Sequence, residues 1–181
     1  MTITPTKLAG CYIIVPKVFK DDRGYFFESY NHASFEKALS LKINFVQDNQ
    51  AYSQRGVLRG LHFQRGEHAQ AKLIRVLQGS VLDIAVDMRV NSPTYKEHVA
   101  IELTADNKKQ LFIPRGFAHG YLVLSETADI LYKCDNIYNP KSEGGIRYDD
   151  PELNIDWKFP KASLILSKKD DKLPYLTDAI L

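Results

Sequence analysis

The sequence predicts an all-β fold, a jelly roll built as a double-layered β-sandwich with a few short helices. Residues 80–88 alternate, so that Leu82, Ile84 and Val86 point one way while Asp83 and Ala85 point the other. That period of two is typical of a half-buried strand. Further short apolar segments follow at fairly even spacing between turns, which favours a sandwich or barrel. Helical periodicity is scarce, so a doubly wound nucleotide-binding fold is disfavoured.

Six predicted strands fall into three consecutive pairs, each joined by a short polar or glycine-containing turn, and we expect each pair to form a hairpin. The pairs are residues 72–78 with 80–88, residues 98–104 with 110–113, and residues 120–124 with 128–134. Shorter strands are predicted at residues 12–15, 24–27, 43–46 and 163–166.

One helix is predicted over residues 31–39. Asn31 or Ser34 can supply its N-cap, and Phe35 and Leu39 lie four residues apart on one face. Neither standard glycine-rich phosphate loop occurs in the sequence. The helix is therefore an accessory to the strands.

The composition is that of an ordinary globular protein. The chain has 181 residues, of which 44% are apolar and 25% charged, and a net charge of +2, which argues against a nucleic-acid or membrane binder driven by bulk charge. Two cysteines, Cys11 and Cys134, cannot build a disulfide framework. Neither an apolar run of ~18 residues nor a signal-peptide pattern is visible. We expect a single domain over residues 1–181, located in the cytoplasm.

Two of the five histidines lie in unusual surroundings. His62 lies in residues 56–64 (GVLRGLHFQ), where glycines allow close backbone approach, and His119 lies in residues 113–121 (IPRGFAHGY). The second stretch resembles the second motif of the cupin superfamily. A histidine in a strand is more often structural than catalytic. A three-ligand metal site of His62, His119 and a carboxylate is an alternative, but the His-x-His pattern is absent and a metal-free site with a histidine base fits better.

Six motifs in order resemble the dTDP-4-dehydrorhamnose 3,5-epimerase family, from about residue 5 to about residue 175. They are residues 22–28 (DRGYFFE), 47–50 (QDNQ), 59–64 (RGLHFQ), 113–120 (IPRGFAHG), 132–134 (YKC) and 166–170 (LSKKD). The resemblance implies a cupin jelly roll, a homodimer, and neither a metal nor an organic cofactor. Its substrate would be a dTDP-linked 4-keto-6-deoxyhexose, in the synthesis of dTDP-L-rhamnose.

The chemistry of such a substrate needs a base on one face of the sugar, an acid on the other, and a cation or donor at the ketone oxygen. His62 is the candidate base, and the resemblance implies that Asp170 orients it. Without the resemblance, Asp170 would be interpreted as a solvated surface charge. Tyr132 is the candidate acid and Lys72 the candidate enolate stabiliser. Residues matching substrate-contact positions are Arg23, Glu28, Gln47, Asn49, Arg59, His119, Tyr138, Glu143 and Lys168.

Residues 135–137 depart from the commonest family pattern, and residues that flank the acid can influence whether one or both carbons are inverted. Inversion at C3 alone, or a sugar ketoisomerase, is therefore the first alternative function. A metal-dependent cupin enzyme and a non-catalytic sugar-binding jelly roll are the others. The His62, Asp170, Tyr132 and Lys72 set favours the epimerase.

Overall fold

A computed structural model describes residues 1–180 of the chain. Two antiparallel sheets face each other, which confirms the predicted all-β jelly-roll class. One sheet has six strands in the order β1-β2-β10-β7-β12-β5, and the other has five in the order β13-β6-β11-β8-β9. The strands are β1 Thr2–Pro5, β2 Tyr12–Val15, β3 Phe19–Asp21, β4 Gly24–Phe26, β5 Gln47–Gln54, β6 Leu58–Gln64, β7 Lys72–Gln78, β8 Ser80–Asp87, β9 His98–Thr104, β10 Gln110–Ile113, β11 Phe117–Val123, β12 Thr127–Cys134 and β13 Glu143–Gly145, and the helix is α1 His32–Leu39.

All three predicted hairpins are wrong, although the strands themselves are present. β7, β10 and β12 belong to the six-stranded sheet, whereas β8, β9 and β11 belong to the five-stranded sheet. Each short connection therefore carries the chain across to the facing sheet. Gly79 makes the first of these corners with φ 77°, and a Cβ there would lie 2.1 Å from the carbonyl oxygen of Thr127. Alternation identifies the faces of a strand but not its partner.

The facing sides of the two sheets enclose the central core. Ile74 and Val76 of β7 and Ile130 of β12 meet Leu103 of β9 and Val123 of β11 there. Burial of apolar side chains on both inner faces is what holds a sandwich together. The polar residues on the same inner faces are therefore forced into an enclosed space.

Strand β8 is buried on both faces, which corrects the prediction of a half-buried strand. Its outward side chains Leu82, Ile84 and Val86 pack against a covering layer that includes Leu153 and Trp157. This layer belongs to the C-terminal segment, residues 146–179. The segment lacks strands of its own, and residues 163–166, predicted as a strand, contribute only one parallel bridge, between Ile165 and Val57.

Helix α1 covers the outer face of the six-stranded sheet. The side chain of Asn31 caps it by accepting a hydrogen bond from the backbone N–H of Ser34 at 3.0 Å, as predicted. Phe35 packs edge-on against Phe112 of β10, with ring centroids 5.5 Å apart. Residues 43–46, predicted as a strand, are irregular, and Ile43 packs into the same cluster. The strand begins only at Gln47.

The β3–β4 hairpin stands apart from both large sheets and exposes aromatic side chains, with Phe26 71% exposed. Large exposed apolar surface on a short two-stranded element marks an interaction site more often than a free surface. Within residues 1–180, no helix has both the length and the apolar composition that a membrane crossing requires.

The covering layer on β8 and β11 makes a testable contribution to stability. Leu122 is 0% exposed beneath it, so Leu122→Ala should lower the free energy of unfolding by about 2–5 kcal/mol. Leu41, 39% exposed, provides the matched control, and Leu41→Ala should cost less than about 1 kcal/mol. Equal losses in urea denaturation of the two variants would contradict this description of the layer.

Candidate active site

A cavity of about 490 Å³ opens between the two sheets. Both sheets contribute to its wall, and the C-terminal segment closes one side through Leu166, Ser167, Lys169 and Asp170. Six residues selected from the sequence line it: Arg59, His62, Lys72, His119, Tyr132 and Asp170. Residues that are 111 positions apart in the chain thus meet in one place.

Strand β6 carries Arg59 and His62 into this cavity although they are three positions apart, a spacing that in a regular strand points side chains to opposite faces. The register between β6 and β11 shifts between His119 and Tyr121. Gly60 lies at this irregularity, and a Cβ there would come within 2.6 Å of the Cα of Gly120. The close backbone approach therefore brings Arg59 and His62 to one side, where His62 pairs in register with His119.

His62 and Asp170 form a hydrogen-bonded pair. The Nε2 of His62 lies 2.5 Å from Oδ1 of Asp170, and the hydroxyl of Ser167 donates to Oδ2 of Asp170 at 2.7 Å. Burial of Asp170 disfavours its charged form, but the bonds from His62 and Ser167 outweigh burial and lower its pKa. The pair therefore combines an ionised carboxylate with an imidazole that is partly open to the cavity.

A second pair, missed in the sequence, joins His119 to Asp83. The Nε2 of His119 lies 2.5 Å from Oδ1 of Asp83, and Asp83 is 0% exposed. Burial lowers the pKa of His119 despite this carboxylate. Oδ2 of Asp83 has no hydrogen-bond partner among the described residues. An aspartate at an inward position of an apolar strand was the signal that could have identified it.

Lys72 and Tyr132 approach the cavity from the six-stranded sheet. Burial lowers the pKa of the Lys72 amine, and the nearby Cys134, Asp83 and Glu143 partly oppose this effect. Burial also raises the pKa of Tyr132 to about 12, so its phenol keeps its proton at neutral pH. The imidazole of His62 and the phenol of Tyr132 thus belong to opposite sheets across the cavity.

A smaller cavity of about 210 Å³ adjoins the first and shares His62, Lys72 and Tyr132 with it. Four more of the selected residues line it: Gln47, Asn49, Tyr138 and Glu143. They are linked by hydrogen bonds, because Gln47 bonds both the backbone N–H of Tyr138 and the Asn49 side chain, and the Tyr138 hydroxyl donates to Glu143 at 3.0 Å.

Three selected residues lie outside both cavities. Arg23 is exposed at the tip of the β3–β4 hairpin and pairs with Asp21 at 2.5 Å. Glu28 lines a separate cavity near the N-terminus of α1. Lys168 is exposed, whereas its neighbour Lys169, which was not selected, lines the larger cavity and donates to Glu143.

The residues that depart from the family pattern anchor neighbouring loops. Asp135 accepts hydrogen bonds from the backbone N–H of Ala71 at 2.6 Å and from Arg115 at 2.8 Å. The Asn136 side chain donates to the carbonyl of Glu67 at 2.8 Å. Residues 135–137 line neither of the two cavities, so the departure acts on loops rather than on the cavity wall.

The part of the chain that the structure describes contains no cluster of three or more His, Cys, Asp or Glu side chains placed to hold a metal ion. His62 and His119 instead each hold their own carboxylate, Asp170 and Asp83. The alternative three-ligand arrangement is therefore not assembled here.

Comparison with known proteins gives one consistent family. A family model described as dTDP-4-dehydrorhamnose 3,5-epimerase matches residues 5–178. A dTDP-4-dehydrorhamnose 3,5-epimerase of Salmonella typhimurium is 50% identical over 181 residues, which cover 100% of this chain and 98% of that protein.

Solved structures show the same likeness in three dimensions. A dTDP-4-dehydrorhamnose 3,5-epimerase from Elizabethkingia anophelis is 54% identical, with a TM-score of 0.95 over 98% of this chain and 97% of that chain. A dTDP-6-deoxy-D-glucose-3,5-epimerase from Legionella pneumophila, in complex with dTDP-4-keto-L-rhamnose, is 46% identical, with a TM-score of 0.94 over 98% of this chain and 93% of that chain.

The pKa of the Lys72 amine should be lower than that of the exposed lysines. Because burial lowers its pKa, it should lose its proton at a lower pH than the exposed lysines. In an NMR titration of protein labelled with ¹⁵N at lysine Nζ, the signal that Lys72→Met removes identifies this amine. Lys42→Met, which removes an exposed lysine, is the control. A Lys72 signal that titrates together with the exposed lysines would contradict desolvation of the amine.

Proposed function

The chain belongs to the dTDP-4-dehydrorhamnose 3,5-epimerase family, and from that premise we propose that it inverts C3 and C5 of dTDP-4-keto-6-deoxy-D-glucose. The observation that carries the proposal is the placement of His62 and Tyr132 on facing sheets of one cavity. A proton can be removed from one face of a sugar held between them and returned to the other. Inversion of both carbons gives the dTDP-linked 4-keto-sugar that dTDP-L-rhamnose biosynthesis uses.

His62 is the proposed base. The protons on C3 and C5 are acidic because both carbons flank the C4 ketone, and an imidazole suits proton abstraction near neutral pH. Asp170 holds Nε2 at 2.5 Å, so Nδ1 is the ring nitrogen left to receive the substrate proton. The carboxylate then stabilises the imidazolium that forms.

Tyr132 is the proposed acid and Lys72 the proposed stabiliser of the enolate. A phenol whose pKa is raised to about 12 is a weak acid in water, but the enolate carbon is far more basic and can take its proton. The ammonium of Lys72 in a buried site provides an effective counter-charge for the ketone oxygen, since desolvation strengthens electrostatic interactions. Asp83 and Glu143 favour its charged form.

Arg59 and His119 are proposed to hold the sugar and the adjoining phosphate. The guanidinium Nε of Arg59 donates to Ser53 at 3.2 Å, which leaves other N–H groups of the guanidinium available for phosphate oxygens. The smaller cavity, with Gln47, Asn49, Tyr138 and Glu143, would receive the nucleotide. The exposed Lys168 stays a candidate contact, and Lys169 joins it because it lines the cavity.

A homodimer is proposed from the position of the β3–β4 hairpin. Phe19, Tyr25 and Phe26 are each more than half exposed, and burial against a second copy would remove this apolar surface from water. Arg23 at the hairpin tip and Glu28 after it lie outside their own chain's two adjoining cavities. Both would therefore contact the nucleotide bound by the partner copy. A cytoplasmic location and the absence of a cofactor stay predictions.

Inversion at C3 alone and ketone migration remain distinguishable alternatives. The family description and the relatives compared, at 46–54% identity, all name 3,5-epimerases, which supports inversion at both carbons.

Proton exchange tests the proposal directly. With dTDP-4-keto-6-deoxy-D-glucose in deuterated water, NMR should detect deuterium at both C3 and C5, because each inversion replaces a substrate proton with one from solvent. Replacement of the base by His62→Ala should reduce exchange at both carbons by at least about 10²-fold. His32→Ala, on the exposed face of α1, is the control and should exchange at the wild-type rate.

The Tyr132→Phe variant tests the role of the acid separately from that of the base. It should leave base-catalysed exchange in place but reduce formation of the inverted product. Exchange at C3 alone in the wild-type protein would favour the mono-epimerase, and a moved ketone the isomerase. Full exchange in His62→Ala would remove His62 as the base.

The dimer has its own test. Phe26→Glu should place a charge in the interface, so that light scattering detects a mass near one chain where the wild-type protein has the mass of two. Activity should fall with it, because the partner's arginine is lost from the site. Val90→Glu, at another exposed apolar position, is the control and should remain dimeric. A fully active wild-type monomer would refute the shared site.

A further inference from the structure

Asp170 uses its two carboxylate oxygens for two different side chains. Oδ1 lies 2.5 Å from Nε2 of His62, and Oδ2 accepts the hydroxyl hydrogen of Ser167 at 2.7 Å. The oxygen of that hydroxyl also accepts the backbone N–H of Asp170 at 3.0 Å. Because the backbone bond occupies the hydroxyl as an acceptor, its own hydrogen is directed toward Oδ2.

We propose that Ser167 is a positioning residue for the His62–Asp170 pair, fixing the rotation of the carboxylate so that Oδ1 stays on Nε2 of His62. The proposal deepens the proposed function, since it rests on His62 as the base. Ser167 would act through Asp170 and not through the substrate.

The local backbone explains why the carboxylate needs a second anchor. Asp170 begins a single 3₁₀ turn, Asp170–Lys172, in a segment outside both sheets. Its neighbours Ser167, Lys168 and Lys169 are exposed while Asp170 is 4% exposed. Rotation about the terminal bond of an aspartate side chain is soft. Because Asp170 lies outside both sheets, no strand backbone holds it in place either. The Ser167 bond supplies that restraint, as outer hydrogen bonds do for other catalytic groups.

The charges around Asp170 agree with this role. Burial opposes its ionisation, and the hydrogen bonds from His62, Ser167 and the Gly60 backbone N–H lower its pKa. Burial raises the pKa of Tyr121 on β11, so its phenol stays protonated. The other charged or titratable side chains that line the same cavity are Arg59, Lys72, His119, Tyr132 and Lys169. Loss of the Ser167 hydroxyl would remove one of the effects that keep Asp170 ionised, so its pKa would rise.

The test compares Ser167→Ala with Ser167→Thr, which keeps the hydroxyl, and with Ser163→Ala, which removes an exposed hydroxyl from the same segment outside the cavity. Ser167→Ala should lower kcat about tenfold and change KM less than about twofold. The acidic limb of kcat/KM should move to higher pH, because Asp170 is protonated more readily. Ser167→Thr and Ser163→Ala should retain wild-type values.

A second readout is independent of activity. In the free protein labelled with ¹³C at aspartate carboxyls, the Asp170 signal, assigned with Asp170→Asn, should titrate at a higher pH in Ser167→Ala than in wild type. Should Ser167→Ala fail to fold, Ser167→Cys keeps the size with a weaker donor and should give a smaller shift in the same direction.

The outcomes separate the proposals. If Ser167→Ala leaves the Asp170 titration and the pH profile unchanged, the positioning role is overturned. A rise in KM with kcat unchanged would also overturn it and would assign Ser167 to substrate contact. A wild-type protein without proton exchange would refute the proposed function, while the Asp170 titration would still decide whether Ser167 acts on Asp170.

Discussion

The site depends on one hydrogen bond between parts of the chain that are 108 residues apart, from Nε2 of His62 to Oδ1 of Asp170. His62 lies on β6 at the inner face of the five-stranded sheet, and Asp170 lies within the C-terminal segment that covers the outer face of that sheet. The bond therefore joins the covering layer to the cavity wall. A buried carboxylate requires such partners, since an unpaired charge in an enclosed site is costly.

The same constraint organises the rest of the polar interior. His119 holds Asp83 on the five-stranded sheet, while Lys72 and Tyr132 extend from the opposite sheet. An apolar core fills the space between the sheets beside these groups, so the electrostatic interactions in the cavity act in a poorly solvated environment. The fold thereby presents the hydrogen-bonded imidazole of His62 on one side of the cavity and the protonated phenol of Tyr132 on the other. This geometry is what a double inversion beside a ketone requires.

The sequence predicted most strands correctly but paired them wrongly. β2, β7, β9 and β10 have the predicted bounds, because alternation and turn residues are local signals. The three hairpin predictions were wrong because a short turn can either join two strands of one sheet or carry the chain to the facing sheet. Both connections give the same sequence pattern. The strand predictions for residues 43–46 and 163–166 were wrong because apolar side chains of irregular segments also pack onto a sheet.

Local patterns and motifs in a fixed order were enough to predict the fold class and the family, and they selected ten residues that line the two adjoining cavities. Tertiary structure decided what depends on distant contacts. It placed Asp83 beside His119 and Ser167 beside Asp170, and it put Lys169 rather than Lys168 in the cavity wall. It also left Arg23 on an exposed hairpin, away from its own cavity. The physical reason is that side-chain direction, burial and charge pairing are set by which strands face each other, and no local pattern encodes that choice.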